Sequence, residues 1–182
     1  SLGSDSKMLE IAHNTFSEQD TWDDFNAFQS TYPTGVRVGY DPGEILAQLR
    51  RQIVTRGLPN LLIFHGGGGI EECNGIPACI NEMMVQSHDF TIRVFPNWER
   101  GRDGYFLNLR TYGAFLVSSE ICRDSIQFVH VESERGGCLD LKNPWPEGDI
   151  TCYLNGIRTE LPDLAAIDTN KGDTMLFIPA DS

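Results

Sequence analysis

Glu71 and Glu72 stand side by side just after a run of four glycines, Gly66 to Gly69, with His65 ahead of the run and Asn74 behind the carboxylates. A carboxylate can activate water as a general base, and an amide can orient that water or hold a sugar hydroxyl. Glycine costs backbone entropy and weakens helices and strands alike. Four in succession therefore predict an unusual loop path, or close approach by something outside the loop. Adjacent carboxylates point apart, so one of the two glutamates at most faces a site. The competing structural reading is a solvated acidic turn ahead of a helix, its charge favoured by the helix N-terminus. His65 enters the glycine loop and stands equally well as a pocket residue or as a loop residue.

Other chemistries fit less well. No Gly-Lys-Ser/Thr follows the glycines and no G-x-G-x-x-G opens a βαβ unit, so a nucleotide loop is not indicated. Two glutamates at the end of the run would also repel a phosphate. His13, His65, His88 and His130 are scattered without metal-ligand spacing. His130 reads as a strand residue on a half-exposed face and His88 as a helix-end residue. The five cysteines form no C-x-x-C pair, and their odd number argues against a disulfide scaffold or a zinc knuckle. No motif asks for a cofactor or a metal.

Charge narrows the partners further. The 14 basic and 26 acidic residues leave a net charge of −12. Up to His88 there are 5 basic and 11 acidic residues and beyond it 9 and 15, so each part carries −6. Without a basic patch, neither nucleic acid nor an anionic membrane is an expected partner. Neutral ligands such as sugars remain. No apolar run approaches the length of a membrane span, and no signal peptide is recognisable.

The elements that would position these residues fall into two textures. Up to about His88 the pattern is helical. Met8, Leu9, Ile11 and Ala12 begin an amphipathic stretch after Ser4-Asp5-Ser6, any of which could cap it. Asp41-Pro42-Gly43-Glu44 is the clearest helix start, with Asp41 as cap, Pro42 in the first position and Glu44 completing a capping box. Ile45, Leu46, Leu49 and Ile53 give that helix a buried stripe, and Gly57 and Pro59 end it. A third helix is expected from Pro77 to about Ser87. Trp22, Phe25 and Phe28 recur at helical spacing and read as core. Trp98 and Trp145, in F-P-N-W and N-P-W-P turns, are expected to pin loops onto the sandwich.

Beyond His88 the pattern is that of strands: Thr91–Phe95, Tyr105–Arg110, Ala114–Ser118, Ile126–Glu132, Cys138–Leu141, Asp149–Leu154, Ile157–Leu161 and Thr174–Ile178. Asn155-Gly156 between two of them is the signature of a type I′ hairpin. About eight strands with regular turn signals predict an antiparallel sandwich. The expected fold class is α+β, with a helical segment over 1–88 and a sandwich domain over 89–182.

Several of these stretches resemble a known family. NEMMVQSHDFTIRVFPNW (81–98) is similar to the E-M-L-L-Q-S-H…I-R-L-F-P-x-W stretch of bacterial proteins related to glycoside hydrolase family 95, the α-L-fucosidase-type enzymes. LRTYGAFLVSSE (109–120), SERGG (133–137), KNPWP (142–146) and KGDTMLFIP (171–179) resemble later landmarks of the same region, and VRVGYDP (36–42) an earlier one. The likeness runs from about Thr31 onward. It implies the last helices of an (α/α)6 catalytic barrel followed by a C-terminal sandwich, and a carbohydrate substrate in the intact protein.

The family inverts the anomeric centre, with an acid on one side of the bond and a water-activating carboxylate on the other. Its base lies in an Asp-x-Asn segment ahead of the E-M-L-L-Q-S-H helix. Glu72-Cys73-Asn74 matches that pattern with Glu for Asp, whereas counting back from Glu82 favours Glu71. The resemblance thus assigns Glu71 or Glu72 as base, with His65 and Asn74 lining the pocket. The family's general acid has no counterpart here, so the fragment is expected to be inactive by itself and to self-associate through apolar faces. A periplasmic or extracellular parent is implied. The rival expectations are a non-catalytic sandwich module for packing or carbohydrate binding, and a degenerate relative that keeps the fold.

Overall fold

Asp5 and Asp41 set the first and third helices by the same device. A computed structural model describes residues 5–24, 27–28, 30–60, 62–64, 70–146, 148–160 and 164–180, with residues 70–73 described through their backbone. The Asp5 carboxylate accepts from the N–H groups of Lys7 and Met8 at 3.0 and 3.3 Å and starts α1 (Ser6–Ser17). The Asp41 carboxylate accepts from Gly43 and Glu44 at 2.8 and 3.2 Å and starts α3 (Pro42–Arg56), with Pro42 in the first turn as expected. Each bond satisfies a donor that the helix start would otherwise leave orphaned. The second half of the capping box does not form: Glu44 turns outward and accepts from Gln48 at 2.7 Å. Between them lies α2 (Thr31–Val38), closed by Gly39 in the left-handed conformation at φ 74°.

The chain divides into two compact units, one made of Ser1–Met83 with Pro96–Glu99, the other of Met84–Phe95 with Arg100–Ser182. The first unit is helical. Its core gathers Phe16, Trp22, Phe28, Tyr32, Val36, Ile45, Leu49, Cys79 and Met83. Phe28 stacks on Tyr32 with ring centroids 5.0 Å apart, and Phe16 meets Trp22 edge-on at 5.4 Å. Trp22 and Phe28 are core residues as their type suggests, yet they lie in turns between α1 and α2 and not on a helix; Phe25 lies outside the described residues. Ile45 and Leu49 form the buried stripe of α3, while Ile53, expected to share it, is 43% exposed.

Pro96–Glu99 returns to this unit after the first two strands. Asn97 Nδ2 donates to the Tyr40 carbonyl at 3.1 Å, and Trp98 packs against the helical core. Trp98 was expected to pin a loop onto the sandwich. Its turn instead belongs to the helices, because a large partly buried indole goes where apolar partners already cluster.

The last helix, α4 (Ile70–Met84), begins well before the expected start. A proline near a helix usually marks the first turn, but Pro77 lies inside α4 and its residues remain helical on both sides. Where a helix was expected to reach Ser87, the backbone changes to β1 (Val85–Gln86).

The second unit holds ten strands among the described residues. After β1 come β2 (Thr91–Val94), β3 (Gly104–Thr111), β4 (Phe115–Cys122), β5 (Ser125–Ser133), β6 (Gly136–Leu141), β7 (Ile150–Leu154), β8 (Ile157–Thr159), β9 (Ile167–Asn170) and β10 (Thr174–Pro179). They make a four-stranded sheet in the order β1-β2-β6-β9 and a six-stranded sheet in the order β3-β4-β5-β10-β7-β8. All pairs are antiparallel except β2 with β6. Alternation drives the arrangement: Val129, Val131 and Ser133 of β5 turn inward, as do Met175 and Phe177 of β10, while their neighbours are half-exposed. The fold class is α+β, with helices followed by a sandwich-like antiparallel part.

The Asn155-Gly156 turn closes the β7–β8 hairpin as predicted. Both residues have positive φ, 51° and 80°, which a type I′ turn requires. Asn155 Oδ1 also accepts from the Thr174 N–H at 2.9 Å, tying the turn to β10. Trp145 does pin its loop: its indole Nε1 donates to the Ile126 carbonyl at 2.7 Å.

Candidate functional site

The residues singled out for chemistry belong to α4 and the segment before it. The backbone of Glu71 and Glu72 is already helical, in the first turn of α4. The two therefore occupy successive helical positions, about 100° apart around the axis, not a flexible turn. A helix N-terminus stabilises negative charge nearby, which keeps a carboxylate in the ionised form that a general base needs. Their side chains, like His65 and the glycine run, lie outside the described residues. Asn74 follows on the same helix and is exposed.

Gly75 explains how α4 is seated. A Cβ on this residue would come within 2.5 Å of the Phe28 carbonyl oxygen and 2.7 Å of its carbon. Only a bare Cα allows the helix to lie directly against that backbone. One turn further on Cys79 is fully buried, and Met83 completes the inward stripe. On the outer side Glu82 receives Arg37 of α2 in a two-pronged pair, with Nε to Oε2 at 3.1 Å and Nη2 to Oε1 at 2.5 Å. The glutamates thus belong to the first turn of a helix anchored at its middle and its end.

Elsewhere in the unit, Cys79 and Tyr32 are ionisable groups set in the packing, and Asp23 is one held by hydrogen bonds. Burial, with the Glu82 carboxylate adding to it, pushes the Cys79 thiol up to about 12, which disfavours the thiolate that a nucleophile needs at neutral pH. Burial likewise raises the Tyr32 phenol above its usual range. Hydrogen bonding from Arg51 holds the Asp23 carboxyl below its usual range, with Gln52 also donating to it. That cluster fastens the turn after α1 onto α3. Beside α4, Ile53, Leu58, Ile63, Ile76 and Pro77 line an apolar depression of about 470 Å³. Among the described residues no acid or base lines it, so these walls take up apolar surface and do not move a proton.

In the second unit, His130 is a half-buried strand residue opposite Ser118 and Leu176. His88 lies in the turn after β1 instead of at a helix end, and both of its ring nitrogens are buried without a hydrogen-bond partner. Among the described residues no group of three or more His, Cys, Asp or Glu side chains could hold a metal ion, and no helix is long and apolar enough to cross a membrane.

What the structure brings together is therefore the pair of glutamates and Asn74, on one helix. No sequence signal placed the glutamates on α4, because Gly75 and Pro77 both disfavour the interior of a helix. Compared with known proteins, the chain matches no family model and no curated protein.

Proposed function

We propose that this chain is the C-terminal portion of an inverting glycoside hydrolase of the α-L-fucosidase type, supplying the final helices and the sandwich and one of the two catalytic carboxylates. The observation that supports the reading best is the position of Glu71 and Glu72 in the first turn of a helix seated by Gly75 on the Phe28 backbone. Such a helix gives a carboxylate a fixed origin and a favourable field. In the reaction, the base removes a proton from water as its oxygen attacks the anomeric carbon. An acid on the opposite face protonates the departing glycosidic oxygen. The two carboxyl groups in inverting enzymes are about 6.5–9.5 Å apart, which leaves room for the water.

The 100° step between neighbouring helical residues lets only one glutamate face that water, and Asn74, three residues beyond Glu71 and so on its face of the helix, is an amide able to orient it or hold a hydroxyl. With no partner acid, the chain is expected to bind or position but not to turn substrate over. The test uses the intact enzyme carrying Glu71→Gln and Glu72→Gln separately. One of the two should lose about 10²–10⁴-fold in kcat while its thermal unfolding is unchanged. Full activity in both variants would refute the role.

A further inference from the structure

We infer that the sandwich carries its own binding groove for a neutral oligosaccharide, separate from the α4 carboxylates. The groove has a volume of about 1080 Å³ and opens between the end of β6 and the β7–β8 hairpin. Its polar walls are Asp140, Lys142, Asn143, Asp149, Arg158 and Glu160.

Charge selects the ligand. Among the described residues, two cations and three carboxylates leave the groove at 2 − 3 = −1, with both signs along its walls. A phosphate or a sulfated chain would meet three carboxylates, and a polyamine would meet Lys142 and Arg158. The carboxylates form no group that could hold a metal ion. A sugar hydroxyl both donates and accepts, and the groove offers both: acceptors on Asp140, Asp149 and Glu160, donors on Lys142 and Arg158, and one of each on Asn143. Neither Lys142 nor Arg158 is engaged in an ion pair among the described residues, so their donors are available. The volume lies just above the range of about 300–1,000 Å³ for small-molecule pockets, which favours a short chain of sugar rings over a single one.

The walls are held in place before any ligand arrives. Thr91 Oγ1 donates to Asp140 Oδ2 at 2.8 Å. The Lys142 N–H donates to the Ile92 carbonyl at 2.9 Å, and the Leu141 N–H to Leu164 at 3.0 Å. Asn143 Oδ1 accepts from the Trp145 N–H at 2.8 Å, and the Trp145 indole anchors the same loop to β5. On the other wall the Asp149 carbonyl accepts from Ala180 at 2.8 Å, and the β7–β8 pairing fixes Arg158 opposite Tyr153. The Asp140 and Asn143 side chains and the wall backbone, being fixed, lose little entropy when they engage a ligand, while the exposed Lys142, Arg158, Asp149 and Glu160 side chains must be ordered by it. With no aromatic side chain among the described wall residues, no stacking is available from them and a dissociation constant on the order of 1 mM is expected.

The test is an NMR titration of the whole 182-residue chain. The probes are neutral trisaccharides built from glucose, galactose, mannose, xylose or fucose, with inorganic phosphate and a sulfated trisaccharide as charged controls. At least one neutral probe should shift the amides of Asp140, Thr151 and Arg158 and leave Asn74 unmoved. Arg158→Ala and Asp149→Asn, both at exposed positions, should each weaken that binding about tenfold without altering the rest of the spectrum. Silence at the groove with every neutral probe, stronger shifts with the charged controls, or unchanged affinity in both variants would overturn the inference. Glu71→Gln and Glu72→Gln should leave the groove titration untouched, so this inference and the catalytic reading fail independently.

Discussion

Replacing Gly75 by alanine tests the seating of α4, on which the position of both glutamates depends. The added Cβ would stand 2.5 Å from the Phe28 carbonyl oxygen, where ordinary contact starts at 3.4 Å, a shortfall of 0.9 Å. The obstacle is backbone in the core, not the tip of a flexible side chain, so the helix or the Phe28 turn must move. Overpacking of this kind costs about 1–3 kcal/mol. Alanine returns up to about 1 kcal/mol through its better helix propensity. The net loss should be about 1–2 kcal/mol, or about 2–8 °C in Tm for a chain of this size. Far-UV circular dichroism under heat and urea measures it, with Gly148→Ala as the control, since a Cβ there meets nothing within 4 Å. A Gly75→Ala protein as stable as wild type would refute the close approach and with it the fixed origin assigned to Glu71 and Glu72.

Two further outcomes follow from the second unit. Hydrogen bonding from Arg93, at 2.7 and 2.9 Å, holds the Asp89 carboxyl below its usual range. Its contribution is therefore complete above the unfolded value of about 3.9 and is lost as pH falls through the lower folded value. Asp89→Asn should flatten that part of the acid-denaturation profile and leave the neutral and alkaline profile parallel to wild type; an unaltered acid limb would contradict it. Asn155→Ala places a Cβ-bearing residue without a local hydrogen bond at φ 51° and removes the acceptor of the Thr174 N–H. A loss of about 1–2 kcal/mol in urea unfolding is expected, and no loss would mean that the turn is held from elsewhere.

The parts of the fold legible from sequence are those with local causes. Asp41-Pro42 dictates a helix start through a side chain and a ring that act within three residues, and α3 begins there. Asn155-Gly156 dictates a hairpin because few other pairs tolerate two positive φ values. The misread elements depend on distant partners. Pro77 signals a helix start by its own chemistry, and only the packing of Gly75 against Phe28 shows why the helix extends on both sides of it. β1 and β9 are too short to show alternation and exist through pairing with Val94 and Arg93 in one case and β6 in the other. Trp98 has no sequence mark of which core will take it. The glutamates, as a chemical pair beside glycines, were visible at once; their setting in a helical turn was not. The groove residues were invisible as a group, because β6, β7 and β8 contribute them from separate stretches of chain.

The return of Pro96–Glu99 to the helices has a consequence for how this protein is made. On the ribosome, α1 to α4 emerge ahead of the strands, yet the indole that packs against their core arrives only after β1 and β2 have been synthesised. The N-terminal unit must therefore wait, incompletely packed, until the chain has passed Glu99. A pause in translation just short of that point would lengthen the life of a helical intermediate whose core is left uncovered where Trp98 packs.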